Sequence, residues 1–181
     1  VRAMGSFGGN ICYCIEPGVP QESGDSYTKK GENFWDNYPS SYNKTISPDD
    51  IKLFIGRIMQ YGYTGTISTS WRSQNEGGDK LAHAVATQLL IWETVVGERD
   101  ENFNKVGTGG KDAILNQISP NHPLRDEIMR YYNSIAASVQ SHSKLPSFFA
   151  KSTGKAQSIE LEWDGERYTA TLTDNNNVLS N

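Results

Sequence analysis

The stretch "DKLAHAVATQLLIWETVVG", residues 79–97, predicts a long helix in the middle of the chain. Its apolar side chains recur every three or four residues, the period of one helix face, and Gly97 is a typical helix stop. Gln88 is the odd member of this face, because a buried amide is costly unless its polar atoms are hydrogen-bonded. The predicted stripe consists of Leu81, Val85, Gln88, Leu89, Trp92 and Val96.

Further helices are predicted on both sides of this stretch. The sequence at 47–50, Ser-Pro-Asp-Asp, combines an N-cap with a first-turn proline, and helical periodicity follows it as far as Gly62. After a glycine-rich loop at 107–110 we expect a short helix near 112–118. A longer helix begins at His122-Pro123 and carries Leu124, Ile128, Tyr131, Ile135 and Val139.

Both ends of the chain have the two-residue period of strands. Residues 10–16 alternate before Pro17-Gly18, and residues 159–172 alternate on either side of Asp164-Gly165, a strong hairpin signal. The fold class is therefore α+β. We expect one domain over residues 1–181, with a sandwich or barrel-like β part (about 1–46 and 145–181) and a helical insertion (about 47–144). Because another strand starts at 178–181, we expect the last strands to be missing from this segment.

The amino-acid composition of the chain argues against some classes of binding partner. The net charge of −4 and the scattered lysines give no basic surface for nucleic acid or anionic lipid. No apolar run approaches the roughly 20 residues that a membrane helix requires. The abundance of Gly, Asn, Ser, Thr and Tyr fits an extracellular bacterial domain. We therefore expect neither nucleic-acid nor membrane contact.

The two cysteines, Cys12 and Cys14, stand one residue apart and would share a strand face. A disulfide between them would be strained, since same-face neighbours lie about 6.6 Å apart with nearly parallel Cβ vectors. Three scattered histidines without paired spacing do not complete a metal site, and no metal or cofactor is expected. The simplest interpretation is two small buried side chains, whereas in a secreted protein two unpaired thiols suggest chemistry.

Two motifs together resemble a known family. "YCI" at 13–15 and "TQLLIW" at 87–92 look like the aromatic-Cys-hydrophobic and TQxA-hydrophobic-Trp motifs of thioester domains of Gram-positive surface adhesins. "LPSF" at 145–148 and "YTATLTDNNNVLS" at 168–180 are similar to further stretches of these domains. One departure is Leu90, where the motif usually has alanine.

The resemblance implies that Cys14 forms an internal thioester with a glutamine and that an amine of a host protein, such as a lysine amine, later captures the acyl group. It also implies an extracellular location on a cell wall, with signal and anchor outside this segment, and a monomeric, single-turnover domain rather than an enzyme. Cys14 is favoured as the nucleophile because it follows Tyr13 as the motif requires. Cys12 is then expected to pack on the same face.

The role of Gln88 stays open between acyl donor and a clamp that holds the cysteine strand through backbone hydrogen bonds. In this family a separate hydrophobic-Gln-x-x-hydrophobic motif supplies the donor, and neither Gln140 nor Gln157 fits it well. The donor could therefore lie beyond Asn181. Gln88 remains the best partner within the chain, and both interpretations predict that it is buried and hydrogen-bonded.

Four residues are assigned supporting roles. Tyr13 and Trp92 are expected to line a dry cleft, since a thioester must be kept from water, and Thr87 belongs to the motif. His83 shares a helix face with Thr87 and could shuttle a proton, although such a histidine is more often a surface or satisfied core residue.

Two other classes of function compete with this one. A cysteine hydrolase or transamidase would pair Cys14 with His83, His122 or His142. A non-covalent binding module for a glycan or a protein would present aromatic side chains to its ligand, and the candidates are Trp35, Tyr38 and Tyr42.

Overall fold

The computed structural model of the chain describes residues 4–7, 10–19, 31, 34–35, 45–66, 78–107, 113–143 and 160–173. The predictions for Tyr38, Tyr42, Gln157 and the stretches 108–112, 145–148 and 174–181 concern residues outside these ranges. Within them the order of elements is β1 (Met4–Phe7), β2 (Asn10–Tyr13), α1 (Pro48–Tyr61), α2 (Gly78–Val96), a 3₁₀ helix (Ile114–Gln117), α3 (Arg125–Ser143), β3 (Glu162–Trp163) and β4 (Tyr168–Thr169).

The molecule is mixed α and β, as the sequence predicts. The described helices fall between residues 48 and 143, and the described strands lie on either side of them. Strands β1 and β2 form one antiparallel pair, with Met4 opposite Tyr13, and β3 and β4 form another, with Trp163 opposite Tyr168. No described residues join the pairs into a sandwich or barrel.

Helix α1 begins and ends where its caps predict. The Ser47 hydroxyl accepts a hydrogen bond from the Asp50 amide at 3.2 Å, and Pro48 occupies the first turn. At the other end the Gly62 amide donates to the Ile58 carbonyl at 2.7 Å.

Helix α2 packs against both α1 and α3, which also contact each other, and it ends at Gly97. Gly97 has a φ of 83°, and the Glu98 amide reaches back to the Glu93 carbonyl at 2.8 Å, which is the Schellman arrangement. The predicted single stripe is wrong in part: Ala82, Ala86 and Leu90 are fully buried off that stripe, whereas Leu81, Val85 and Val96 are only half-buried. Two neighbouring helices cover more than one face of α2, which a one-face pattern cannot anticipate.

Helix α3 also departs from its predicted pattern. It begins at Arg125, after a turn in which the His122 ring nitrogen accepts from the Leu124 amide at 3.1 Å. Tyr132, rather than Tyr131, is the buried tyrosine, at 5 % exposure. The expected short helix is a 3₁₀ helix at Ile114–Gln117.

A buried charged cluster joins α2 to α3 and to the loop between them. The carboxylate of Glu93, fully buried, accepts two hydrogen bonds from Arg99 at 2.6 and 2.8 Å and one from Lys105 at 2.7 Å. The Tyr132 hydroxyl lies 2.8 Å from both oxygens of this carboxylate. Because the buried charge is paired and hydrogen-bonded from several sides, it is tolerated in the core.

The second strand pair has no described cover on its apolar side chains. Leu161, Trp163, Tyr168 and Leu172 are between 44 and 68 % exposed, and the Trp163 and Tyr168 rings pack on each other at 5.1 Å. Glu160, Glu162 and Glu166 are exposed. In the described part of the chain, no helix is both long and apolar enough to span a membrane.

Candidate functional site

Cys14 lies just past the end of β2 and is held by a side chain rather than by a neighbouring strand. Its amide donates to Gln88 Oε1 at 2.9 Å, and its carbonyl accepts from Gln88 Nε2 at 2.7 Å. The strand predicted over residues 10–16 therefore ends at Tyr13, because the next residue gives its backbone groups to α2. The half-buried Cys14 packs against the hydrophobic core, and its thiol donates to the Glu16 carbonyl at 3.2 Å.

Gln88 is 3 % exposed, and both ends of its amide are occupied by the Cys14 backbone. The prediction of a buried and satisfied amide is confirmed. The two hydrogen bonds explain why a polar residue is tolerated on an otherwise apolar helix face, since each amide atom regains a partner in place of water. This geometry is that of a clamp on the cysteine backbone.

The expectation that both thiols share one face is wrong. Ile11 is buried at 8 % exposure and Cys12 is exposed, as alternation along β2 requires, but Cys14 follows the strand end and turns back toward the core. Cys12 is therefore exposed, whereas Cys14 packs against the core. Neither cysteine is in a disulfide.

Tyr13 is anchored at its phenol end. The hydroxyl donates to the Tyr63 carbonyl, and burial raises the pKa of Tyr13 well above its usual range, an effect opposed by a hydrogen bond with Thr87. The Thr87 hydroxyl itself accepts from the Tyr63 amide and donates to the His83 carbonyl, both at 2.9 Å. Thr87 thus links α2 to the turn after α1 through hydrogen bonds. The sequence motifs gave no indication of Tyr63.

His83 lies near Thr87 but does not hydrogen-bond to the Cys14 sulfur. Its ring stacks on Tyr131 at 4.2 Å and meets the Tyr63 ring edge-on at 5.7 Å, while Nε2 lies 3.4 Å from the Tyr61 carbonyl. Desolvation lowers the pKa of His83 below 6.5, so the neutral ring is favoured. The proton-shuttle role remains a prediction.

Trp92 lies one helical turn beyond Gln88 and is 5 % exposed in the core against which Tyr13 and Cys14 pack. Its indole nitrogen is buried and has no hydrogen-bond partner among the described residues. Trp92 and Cys14 thus share one hydrophobic core, and the role of the ring in keeping water from the thiol stays a prediction.

The described contacts give little support to a cysteine hydrolase or transamidase, or to a non-covalent binding module. His122 and His142 bond to the Leu124 amide and the Tyr61 hydroxyl, so within the described residues no histidine hydrogen-bonds to the Cys14 thiol. Trp35 packs against the hydrophobic core. The described residues contain no group of three side chains suited to hold a metal ion.

Comparison with known proteins identifies the family. A search of curated proteins and a search of solved structures each gave no match. The family model of the thioester domain matches residues 11–141, which include Cys14, Gln88 and all three α-helices up to the last turn of α3. Since this match covers most of the sequence, the chain belongs to the thioester domain family.

Proposed function

We propose that this domain forms an internal thioester between Cys14 and a glutamine side chain and uses it once, to attach itself to an amine of a host protein. Thioester domains are typically found in surface adhesins and are adhesin-like rather than catalytic. The observation that carries the proposal is the double hydrogen bond by which Gln88 holds the Cys14 backbone within the span matched by the family.

The chemistry has two steps. In the first, the Cys14 thiolate attacks the glutamine carboxamide carbon; the new bond is S–C, the C–N bond breaks, and ammonia leaves with the thiol proton. In the second, an amine nitrogen of the target attacks the thioester carbonyl; an amide C–N bond forms, the C–S bond breaks, and the sulfur regains a proton from the amine. Fixing the thiol against the core supplies the proximity that an unactivated amide requires.

We assign Gln88 to positioning rather than to acyl donation. Its nitrogen and oxygen are both engaged by the Cys14 backbone, and expelling that nitrogen as ammonia would destroy one of the two bonds that place the thiol. The donor is then another glutamine. Gln140 donates to Asn104 at 2.9 Å on the α3 side, which makes it a poor candidate.

The setting of the domain follows from the same proposal. The two strand pairs belong to one β part, a sandwich or barrel, into which the helical block is inserted, all within a single domain. The domain works as a monomer on a Gram-positive cell wall, outside the cell, and the captured nucleophile is a lysine amine. The family's general association with covalent binding to host proteins supports this setting.

Intact mass of the full-length protein tests the proposal. We expect the measured mass to be lower than the sequence mass by one ammonia. Treatment with methylamine should then add the mass of one methylamine to this species. The deficit should be absent in Cys14→Ala. Cys12→Ala is the matched control, since this exposed thiol is two positions away and should leave the deficit in place. A full mass in the wild-type protein, with an alkylatable Cys14 thiol, would refute the proposal. If the deficit persists in Gln88→Ala, Gln88 is not the donor.

A further inference from the structure

The turn that follows α1, residues Gly62–Thr66, contacts the cysteine strand although it is remote in sequence. We call it the Tyr63 turn. The Tyr63 carbonyl accepts the phenol hydrogen bond of Tyr13, the residue before Cys14, and its amide donates to Thr87 Oγ1 at 2.9 Å. Thr87 is next to Gln88 on α2. Two consecutive helix residues therefore hold the Tyr13-Cys14 pair: Gln88 bonds the Cys14 backbone, and Thr87 acts through the turn and through its hydrogen bond with the Tyr13 phenol.

The close approach of this turn to α2 depends on the absence of a side chain at Gly62. A Cβ placed there would lie 2.6 Å from the Ile58 carbonyl oxygen and 2.6 and 2.7 Å from two side-chain atoms of Thr87. Contacts below 3.0 Å do not occur between real Cβ atoms and their neighbours. A single methyl group at Gly62 must therefore displace the turn or the Thr87 side chain, and either shift disturbs the Thr87–Tyr63 hydrogen bond that holds the turn.

The Tyr63 turn is also held by ring contacts to side chains of α2 and α3. The Tyr63 ring meets the edge of His83, which stacks on Tyr131 of α3 with an angle of 6° between the planes. The Tyr131 hydroxyl lies 2.7 and 2.8 Å from the two carboxylate oxygens of Asp79. His83 thus stabilises the turn by packing, which gives it a role that needs no proton transfer.

From these contacts we propose that the Tyr63 turn is a positioning element for Cys14, acting through the Tyr13 phenol to limit how far the sulfur can leave the core. The inference rests on the proposed function, where a loosely held sulfur exposes the thioester to water. With both anchors in place the Tyr13-Cys14 pair is fixed at its backbone and at its phenol end. With the phenol released, it can swing about the Gln88 hydrogen bonds.

The test measures iodoacetamide alkylation of Cys14 by mass spectrometry in full-length Cys12→Ser protein. Methylamine is added first to open any thioester, so the thiol is free whether or not a thioester forms. We expect Gly62→Ala and Tyr13→Phe each to accelerate alkylation about five-fold. Losing one hydrogen bond that contributes about 1 kcal/mol raises the equilibrium constant for local opening by about this factor. Gly56→Ala, within α1 and with open space around its Cβ, is the matched control and should not change the rate.

A double-mutant cycle separates positioning from general loosening, with all rates measured well below the unfolding temperature of each variant. If both changes release the same anchor, Gly62→Ala with Tyr13→Phe alkylates about five-fold faster than the parent, like either single variant; independent effects would multiply to about 25-fold and overturn the proposal. If Gly62→Ala does not fold, an unchanged rate in Tyr13→Phe overturns it equally. The ammonia deficit of the parent protein reports separately on the proposed function.

Discussion

Replacing Gln88 with methionine removes the clamp while nearly preserving side-chain volume. The Cys14 amide and carbonyl lose hydrogen bonds of 2.9 and 2.7 Å, and each such bond contributes about 1 kcal/mol net. If the Cys14 amide and carbonyl stayed buried without partners, the free energy of unfolding would fall by about 1–3 kcal/mol more for each group. We therefore expect the end of β2 to detach from α2 so that water can hydrogen-bond to both groups. We therefore expect Gln88→Met to lower the free energy of unfolding by about 2 kcal/mol, or the melting temperature by about 4–8 °C.

Urea unfolding followed by fluorescence measures this loss, and Cys14 alkylation measures the detachment directly. Gln60→Met is the matched control, since Gln60 is exposed on α1 and the same chemical change there should stay within about 0.5 kcal/mol of the wild-type protein. A Gln88→Met protein with wild-type stability and an unchanged alkylation rate would show that the two hydrogen bonds do not hold the cysteine, and the reasoning about the site would fail with them.

Three further changes test the frame around the site. Burial raises the pKa of Glu98 above 4.5, so its contribution to stability is complete below 4.5 and is lost as the pH rises through the folded-state pKa; Glu98→Gln should remove this part of the pH dependence of the urea midpoint. Tyr132→Phe takes a hydroxyl from the buried Glu93 carboxylate and should cost about 1.5–3 kcal/mol in urea unfolding, whereas a loss below 0.5 kcal/mol would contradict a shared network. Ser47→Ala removes the acceptor for the Asp50 amide and should cost about 1 kcal/mol by the same assay, and no loss would mean that water replaces the cap.

Signals that act within a few residues were predicted well. Ser47 and Gly97 mark helix ends through their own backbone and side-chain chemistry, and the structure places the ends of α1 and α2 there. The apolar face of α2 was predicted less well, because burial of Ala82 and Leu90 depends on two helices that approach from different sides. Periodicity reports one contact face, and a central helix has more.

At the site, the sequence could identify the odd residue but not its partners. The position of Gln88 on an apolar face demanded buried hydrogen bonds, and the structure supplies them from the Cys14 backbone. Strand periodicity could not show that β2 stops before Cys14, because a side chain far along the chain takes over the backbone groups. Nor could it indicate Tyr63, which contacts Tyr13 through a main-chain carbonyl that every residue type possesses.

The clamp joins residues that are 74 positions apart, and its helix is covered on several sides once α1 and α3 have packed. Closing so long a loop costs entropy that the packed helices must first repay. In a newly made chain, before these helices have packed, the clamp therefore does not yet hold the Cys14 backbone. We therefore expect the clamp to shield the Cys14 sulfur only after the helical block has folded, so that a chain stalled before that stage would leave this thiol accessible to oxidants.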